Sequence, residues 1–539
     1  MKALSQLDEL NLDAAAKTQV AALVQALLEQ ANKEAEKYQV DLQAKDLKIQ
    51  ALILELAHLR RIRYGVRNEA LSSIQRDLFQ EACNEDIAAL EAEVEQAEDE
   101  HSSSTVTKPK RPRAGRQPLP PHLPRIEHRH EPESCQCGRC GKDLVKIGED
   151  ITEQLDVEPA KFFVHRHIRP QYACRPCETI TAAPIPPAII DGGMAAVGLL
   201  TWVMVSKYLD HLPLYRLEQI AARDHVILAR STLAEWVGRT GVALQPVADR
   251  LIEMLLERGT LHADETPVPQ LDPGSGKTKR AYLWAYRSND LEEGPRIIVF
   301  DYRGGRSGEH ARQFLGTWQG HLLVDDYGGY KVLFSAARQE ASPCIELGCW
   351  AHARRKFFDL HKANASSMAL EALTRIGKLY AIEQQGKALG IEARQQLRAE
   401  QSQPVLDALH QWLTQTRAST ANGGGSAKAM DYTLKRWPAM IRYAETGHLP
   451  IDNNPVENTI RPIALGKKNW LFAGSERAGQ RAAAIQTLLG TAKLNGIDPA
   501  AWLRDTLEKL PTWPNSRIDE LLPFARPVED VKTQHDNDG

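Results

Sequence analysis

Apolar residues recur at helical spacing through the first hundred positions, which contain no proline and one glycine. Leu42, Ile49 and Leu56 repeat every seven residues, and Leu52 and Leu59 supply the offset spacing. An a/d seam of about two heptads predicts an amphipathic helix that either zips to a second copy or packs on its own chain. The stretch "HLRRIRYGVRNEALS" (58–72) closes it with four arginines. Residues 101–130 then lose the apolar pattern and fill with Ser, Pro, Lys and Arg. That composition predicts a linker with no structure of its own until it meets a partner, either a solvated spacer or a DNA-binding arm.

Helical spacing returns from Met194 to Leu256. Within it, "LEQIAARDHVILARSTLAEWVGR" (217–239) reads as a helix, a turn near Asp224–Val226 and a second helix opened by Ser231. The Ser231 hydroxyl is a candidate cap for the free N–H groups there. The pattern is helix-turn-helix-like, and it equally fits two packed helices with no DNA role. Strand candidates follow at 260–270, 281–287 and 296–302, with connectors short enough for adjacent antiparallel strands. A helical segment around "GEHARQFLGTW" precedes "HLLVDDYGGY" (321–330), and "IELGCWAHARRKFFDL" (345–360) begins as a strand and turns into a basic helix. Three strands, helix, strand, helix, strand suits a mixed sheet with helices on its faces. Residues 361–450 read as a mostly helical insertion with a flexible loop at 420–428, and 478–510 as two further helices.

Composition narrows the class. The chain has 539 residues and is 42% hydrophobic, which suits several buried cores. It has no run of 18 apolar residues to cross a membrane, and its start lacks the pattern of a secretory signal. A cytoplasmic protein is expected. Net charge is −3, yet residues 108–130 hold seven Lys/Arg and one acid, so a polyanion partner is read from local patches. Of eight cysteines, four form the pairs Cys137-x-x-Cys140 and Cys174-x-x-Cys177. Two such knuckles suit one tetrahedral structural Zn²⁺. Cys135 is a spare thiol beside them. Cys349 and His352 share a C-x-x-H spacing without a second pair, so packing is expected of them rather than metal.

Two apolar segments end in acids: Asp264, followed by Glu265, and Asp325, followed by Asp326. Carboxylates gathered beyond apolar strands repel unless a cation sits among them. All-oxygen donors suit Mg²⁺ or Mn²⁺. Glu457, in "DNNPVENTIRPIALGKKNW" (452–470), heads a basic helix and is the third acid that would complete the cage. In an extended strand only one of Asp264 and Glu265 enters the cleft.

"LHADETPV", "VDDYGGY", "CWAHARRKF", "DNNPVENTIRPIALGKKNWLFAGS" and "KYLDHLPLYR…STLAEWV" together resemble the insertion-sequence 66 family of DDE transposases. So does "LRRIRYGVRNEAL", placed after a short zipper and before the cysteine pairs. The resemblance runs in order over residues 40–510. It implies that Asp264, Asp325 and Glu457 are a catalytic triad holding two Mg²⁺ (or Mn²⁺) ions on a ribonuclease-H-like sheet. The family's Asp-Gly-Tyr is Asp325-Asp326-Tyr327 here, which places an extra acid beside the site. The resemblance further implies cleavage of insertion-sequence ends and joining of their 3′ ends to target DNA, self-association, and small accessory proteins. Arg461, Lys467 and Lys468 become candidate phosphate contacts, as does the patch Arg354, Arg355 and Lys356. Trp470 is read as a core residue before a base-stacking one. A silent DNA-binding regulator and a metal-dependent nuclease are the alternatives.

The expected organisation is multidomain α+β. A helical, coiled-coil segment (1–100) and a basic linker (101–130) lead to a zinc-binding domain (131–180) and a helix-turn-helix-like helical domain (190–256). A ribonuclease-H-like mixed α/β catalytic domain (257–475) follows, with its helical insertion at about 361–450. C-terminal helices (476–525) and a disordered tail (526–539) complete the chain.

Overall fold

The computed structural model describes residues 81, 84–93, 118–131, 134, 136, 140–158, 161–184, 186–272, 277–335 and 342–524. The heptad seam, Cys135, Cys137 and the C-terminal tail lie outside the described residues. The chain forms two units, Met1–Ala70 with Asp86–Arg116, and Leu71–Glu85 with Gln117–Gly539. Of the first unit the described residues are 86–93, which are helical. The second unit carries both sheets and the helices between and after them.

Its first sheet is a long hairpin. β2 (Val145–Glu158) and β3 (Lys161–Cys174) pair antiparallel from Val145↔Ala173 to Glu158↔Lys161, with an irregularity between Lys146 and Gly148. β4 (Thr179–Ala182) adds to β3 antiparallel and β1 (Arg125–Arg129) adds to it parallel. The last residues of the basic linker are therefore a strand. Arg125 fastens it, donating to the Leu123 carbonyl at 3.0 Å and to Glu153 at 3.0 Å. A composition of charge and proline hides such a strand, because its partners come from thirty-odd residues downstream.

Three helices follow: α1 (Val197–Tyr208), α2 (Leu214–Arg223) and α3 (Arg230–Leu256). α3 begins one residue before Ser231, with Ala229 as N-cap and no side-chain cap bond, so Ser231 is inside the helix rather than its cap. The N-terminus of α2 is satisfied from afar: the Glu81 carboxylate accepts from Leu214 N at 3.2 Å and Tyr215 N at 2.8 Å. That is an acid meeting free N–H groups at the positive end of a helix. Leu199, Leu217, Leu233, Val237, Leu244 and Leu251 are all buried in one core with the second sheet.

The second sheet has the order β7-β6-β5-β8-β9. β5 (Thr260–Asp272), β6 (Lys277–Ser288) and β7 (Ile298–Arg303) are antiparallel neighbours. After α4 (Gly308–Leu315), β8 (Gly320–Val324) pairs parallel with β5, and β9 (Cys344–Gly348) parallel with β8. Between β8 and β9 the described residues hold a 3-10 segment, Gly328–Phe334, where the sequence order predicts an α-helix. The edge of β7 is closed by α12 (Glu476–Leu494): Phe300 N donates to Thr487 Oγ1 at 2.8 Å, and Ile298 N to Thr491 Oγ1 at 3.2 Å. Threonines thus satisfy backbone donors that an edge strand leaves open. α12 also meets α3 at Gly241, where a Cβ would stand 2.5 Å from Arg481 Cδ, so any larger residue would displace the Arg481 side chain.

The helical insertion runs through α5 (Trp350–Asn364), α6 (Ser367–Gly386), α7 (Ile391–Leu397), α8 (Gln403–Ala418), α9 (Gly425–Lys435) and α10 (Trp437–Ile441). It is continuous with the sheet, since Leu323 and Leu347 share a core with Trp350, Phe357, Ile376 and Leu409. A fully buried Arg398 locks its last turn. It pairs with Glu383 at 2.6 Å and donates to the carbonyls of Tyr443 at 2.7 Å and Leu449 at 2.9 Å. The chain then enters α11 (Asn454–Trp470), followed by α12 and α13 (Pro499–Lys509).

Candidate active site and metal-binding cysteines

β5 and β8 stay in parallel register through His262↔Leu323. The same register carried two residues further would set Asp264 opposite Asp325, and Asp325 is near enough to raise Asp264. Asp264 is not at the end of its strand, as the apolar run suggests; β5 continues to Asp272 on β6. It stands where pairing on the β8 side stops, which opens that flank of the sheet. Asp325 directly follows β8, and its Oδ1 accepts from Tyr327 N at 2.8 Å. Asp264 Oδ1 accepts from Glu265 N at 2.9 Å.

Glu457 lies in the first turn of α11, and Lys467 and Lys468 in its last. Charges of those signs favour the helix dipole at both ends. What brings this helix to the sheet is Asn453, its N-cap, which is fully buried. Asn453 Nδ2 donates to the Ala263 carbonyl at 2.8 Å, its Oδ1 accepts from His262 Nδ1 at 3.0 Å, and its N donates to Cys349 Sγ at 3.2 Å. Burial, with Arg287 nearby, holds His262 down at about 4, so the imidazole is neutral and donates one proton to Asn453. One residue therefore ties α11 to the residue before Asp264 through its side chain, and to Cys349, just past β9, through its backbone N–H. Its carbonyl also accepts from Glu457 N at 3.3 Å.

The electrostatics show how crowded the acids are. Asp264 is pushed up to about 8, first by burial, then by Glu265, with Asp325 and Glu457 adding to it. Glu265 is raised by burial and held against that by Tyr330 and Arg306. The Tyr330 hydroxyl donates to it at 2.6 Å and Arg306 Nε at 2.7 Å, so Glu265 faces this network. Arg306 lies over the Tyr327 ring at 3.7 Å, which braces the loop carrying Asp325. Glu457 Oε1 is sealed from solvent and has no hydrogen-bond partner. Asp264 feels the charge of both Asp325 and Glu457, and three carboxylates are the donor chemistry of a hard divalent ion. Their oxygens are not gathered within 4.8 Å of one another, and Glu457 Oε1 faces His352 instead. Asp326, by contrast, is half exposed and pairs with Arg436 at 3.9 Å.

Of the predicted basic contacts, Arg354, Lys356, Arg461 and Lys468 are exposed. Arg355 reaches Glu457 Oε2 at 3.4 Å, and Lys467 Nζ is tied to the Pro267 carbonyl at 3.0 Å. Trp470 is partly buried against the core of β6 and β7.

At the far sheet, the open end of the β2–β3 hairpin gathers sulfur. Cys140, Cys174 and Cys177 lie within 4.8 Å of one another, with Cys140 Sγ and Cys174 Sγ 3.5 Å apart. Tetrahedral Zn–S bonds of about 2.3 Å imply sulfur spacings near 3.8 Å, so the cluster fits zinc. Cys137, the expected fourth ligand, lies outside the described residues.

The sequence profile of the Transposase IS66 family matches residues 192–481, more than half of the chain. The chain belongs to the IS66 transposase family. The zinc-finger binding domain of transposase IS66 matches residues 134–178, the IS66 C-terminal element 487–524, and the family's leucine-zipper profile, described as "Transposase C of IS166 homeodomain", 51–127. Three proteins of Sinorhizobium fredii (strain NBRC 101917 / NGR234), each named only as uncharacterized, are similar over most of their length. Protein y4qI is 37% identical, covering 86% of this chain and 87% of its own. Protein y4jD is 35% identical over 88% and 94%, and y4hP 35% over 88% of each. Membership makes this IS66-family chain a DDE transposase, of a class that acts on DNA and depends on divalent metal. No helix among the described residues is long and apolar enough to cross a membrane.

Sequence reasoning missed Asn453, His262 and the Glu265–Tyr330–Arg306 network. "DNNP" marks a turn and a helix start, but nothing local to it reveals a partner 190 residues away.

Proposed function

We propose that Asp264, Asp325 and Glu457 are the catalytic triad of a transposase that cleaves the ends of its insertion sequence and joins the 3′ ends to target DNA. The observation that carries this reading is the Asn453 clamp, which ties the start of the Glu457 helix to the Ala263 carbonyl, one residue before Asp264. The strand order β7-β6-β5-β8-β9, with two antiparallel and two parallel pairings so that β6 alone runs against the other four, supports a ribonuclease-H-like catalytic domain interrupted by its helical insertion. Two Mg²⁺ or Mn²⁺ ions held by the triad would activate the attacking water or 3′-hydroxyl and stabilise the leaving oxygen.

The chain's own groups supply the positioning. Glu265, tied to Tyr330 and Arg306, fixes the backbone on either side of Asp264 and Asp325. Arg355 orients Glu457 through its second oxygen. Exposed Arg354, Lys356, Arg461 and Lys468 offer phosphate contacts around the same cleft, and Lys467, tied to β5, sets the end of α11. The cluster of Cys140, Cys174 and Cys177 would hold one structural zinc, with Cys137 as the expected fourth ligand. α2 and α3 would recognise the element's ends, the zipper would pair two copies, and small accessory proteins would join the assembly.

A pre-cleaved end incubated with target DNA and Mg²⁺ tests the reading. Joined product is expected, and Asp264→Asn, Asp325→Asn and Glu457→Gln should each abolish it while end binding persists. Nicking without joining would make the protein a nuclease, and binding alone a regulator.

A further inference from the structure

The triad's third acid has a second set of neighbours. Cys349, the N-cap of α5, and His352, one turn on, converge with Glu457 so that one donor atom of each lies within 4.8 Å of the other two. His352 Nδ1 is 3.6 Å from Glu457 Oε1. Neither atom makes a hydrogen bond, and both are sealed from solvent. Two buried polar atoms facing each other unpartnered cost stability unless something lies between them. A proton would suit one; the third member, a sulfur, says more about what the group fits.

Thiolate, imidazole and carboxylate together are a donor set for Zn²⁺ and its soft or borderline relatives, and a poor one for Mg²⁺. Bonds of about 2.0–2.1 Å to nitrogen and oxygen in a tetrahedron imply an N–O edge of roughly 3.4 Å, close to the spacing observed. The surroundings are those of a supported metal site. Asn453 N donates to Cys349 Sγ at 3.2 Å, and Arg355 holds the Glu457 oxygen that the ion would leave unused, at 3.4 Å. The side chains of His352 and Glu457 keep 22% and 19% of their exposure, so the group lies just beneath the surface rather than deep in the core.

We propose that Cys349, His352 and Glu457 form a second metal site, selective for Zn²⁺-like cations, that takes Glu457 away from the catalytic pair and so inhibits the enzyme. Binding releases the thiol proton of Cys349 to solvent, and the cation takes its place on sulfur. The inhibitory part rests on the triad reading above; the site itself does not. Magnesium cannot compete for the sulfur, so the two cations divide by chemistry: oxygen donors on the sheet side, sulfur and nitrogen on the α5 side, with Glu457 common to both.

The test uses the full chain with zinc already in its cysteine finger, titrated with Co²⁺. A saturable thiolate-to-cobalt charge-transfer absorption is expected, equivalent to one ion beyond the finger. Cys349→Ser should remove that absorption, and His352→Ala should weaken cobalt binding at least tenfold; the finger is untouched in both variants. Zn²⁺ should inhibit Mg²⁺-supported cleavage, with the half-inhibitory concentration at least tenfold higher in His352→Ala relative to that variant's own uninhibited rate. Absence of the absorption in the wild type, or its persistence in folded Cys349→Ser, would overturn the site. Asp264→Asn separates the two readings: it should keep the cobalt absorption and lose cleavage. Cleavage by that variant would sink the triad and leave the cobalt result standing.

Discussion

Replacing Asp264 by Asn should stabilise the protein when no divalent cation is present. The folded chain raises this carboxyl from its ordinary 3.8 to about 8, by burial and by the acids around it. Below about pH 4 the group is protonated in folded and unfolded chains alike, and there is no penalty. As pH rises from there towards 8, the unfolded chain ionises and the folded one resists, so wild-type stability falls across that window and levels off above it. At about 1.4 kcal/mol per unit, four units give an upper bound near 6 kcal/mol. Relaxation and water penetration around the charge bring the expected gain to about 2–3 kcal/mol. Asn retains an oxygen to accept from Glu265 N, so the variant loses charge and keeps geometry. For a region of this size the gain corresponds to roughly 4–10 °C in melting temperature. The assay is thermal melting of both proteins in EDTA at several pH values from 5 to 8, repeated in Mg²⁺, following the transition that Mg²⁺ shifts in the wild type. The variant should melt higher at pH 8, the gap should narrow towards pH 5, and Mg²⁺ should stabilise the wild type far more. A variant no more stable than wild type at pH 8 in EDTA, or an equal response to Mg²⁺, would refute the reasoning.

Other consequences are accessible to the same protein. Asn453→Ala strips His262 and the Ala263 carbonyl of their partner; it should cost about 2–3 kcal/mol and lower cleavage on the order of a hundredfold, read by denaturation and by rate. Arg398→Ala leaves Glu383 and several carbonyls unpaired in the insertion, and chemical unfolding should show a loss of about 3–5 kcal/mol. Metal analysis should find at least one zinc per chain, and Cys174→Ser should release the zinc of the cysteine finger with local unfolding of the β2–β3 hairpin, seen by hydrogen exchange. Arg461→Ala should weaken binding to all DNA sequences alike and reduce the salt slope by about one; a loss confined to one sequence would contradict a phosphate role.

Much of the site was legible because apolar runs stop at acids. "HLLVDD" reads as a strand delivering Asp325, and the structure ends β8 at Val324. Asp264 was harder. It ends an apolar run inside the strand candidate at 260–270, which carries Pro267 and Pro269, yet β5 continues to Asp272. The reason is geometric: the Pro269 carbonyl faces the side away from β6, where it accepts from Ala473 N at 2.8 Å, so the missing N–H of this proline removes no bond from the β5–β6 ladder. The linker strand at 125–129 and the Glu81 cap on α2 were illegible for a related reason, since their partners are supplied by distant segments. Cys349 and His352 read as packing because the pair lacked a second pair nearby. Their third neighbour is Glu457, about a hundred residues on, brought over by Asn453.

Crystals soaked in Mn²⁺ and measured for anomalous scattering at the manganese edge put the central claim to the most direct trial. Two manganese peaks about 3.5–4 Å apart, bounded by the carboxylates of Asp264, Asp325 and Glu457, are the predicted result. Fully ordered side chains with no manganese among them, in crystals that bind manganese elsewhere, would contradict it.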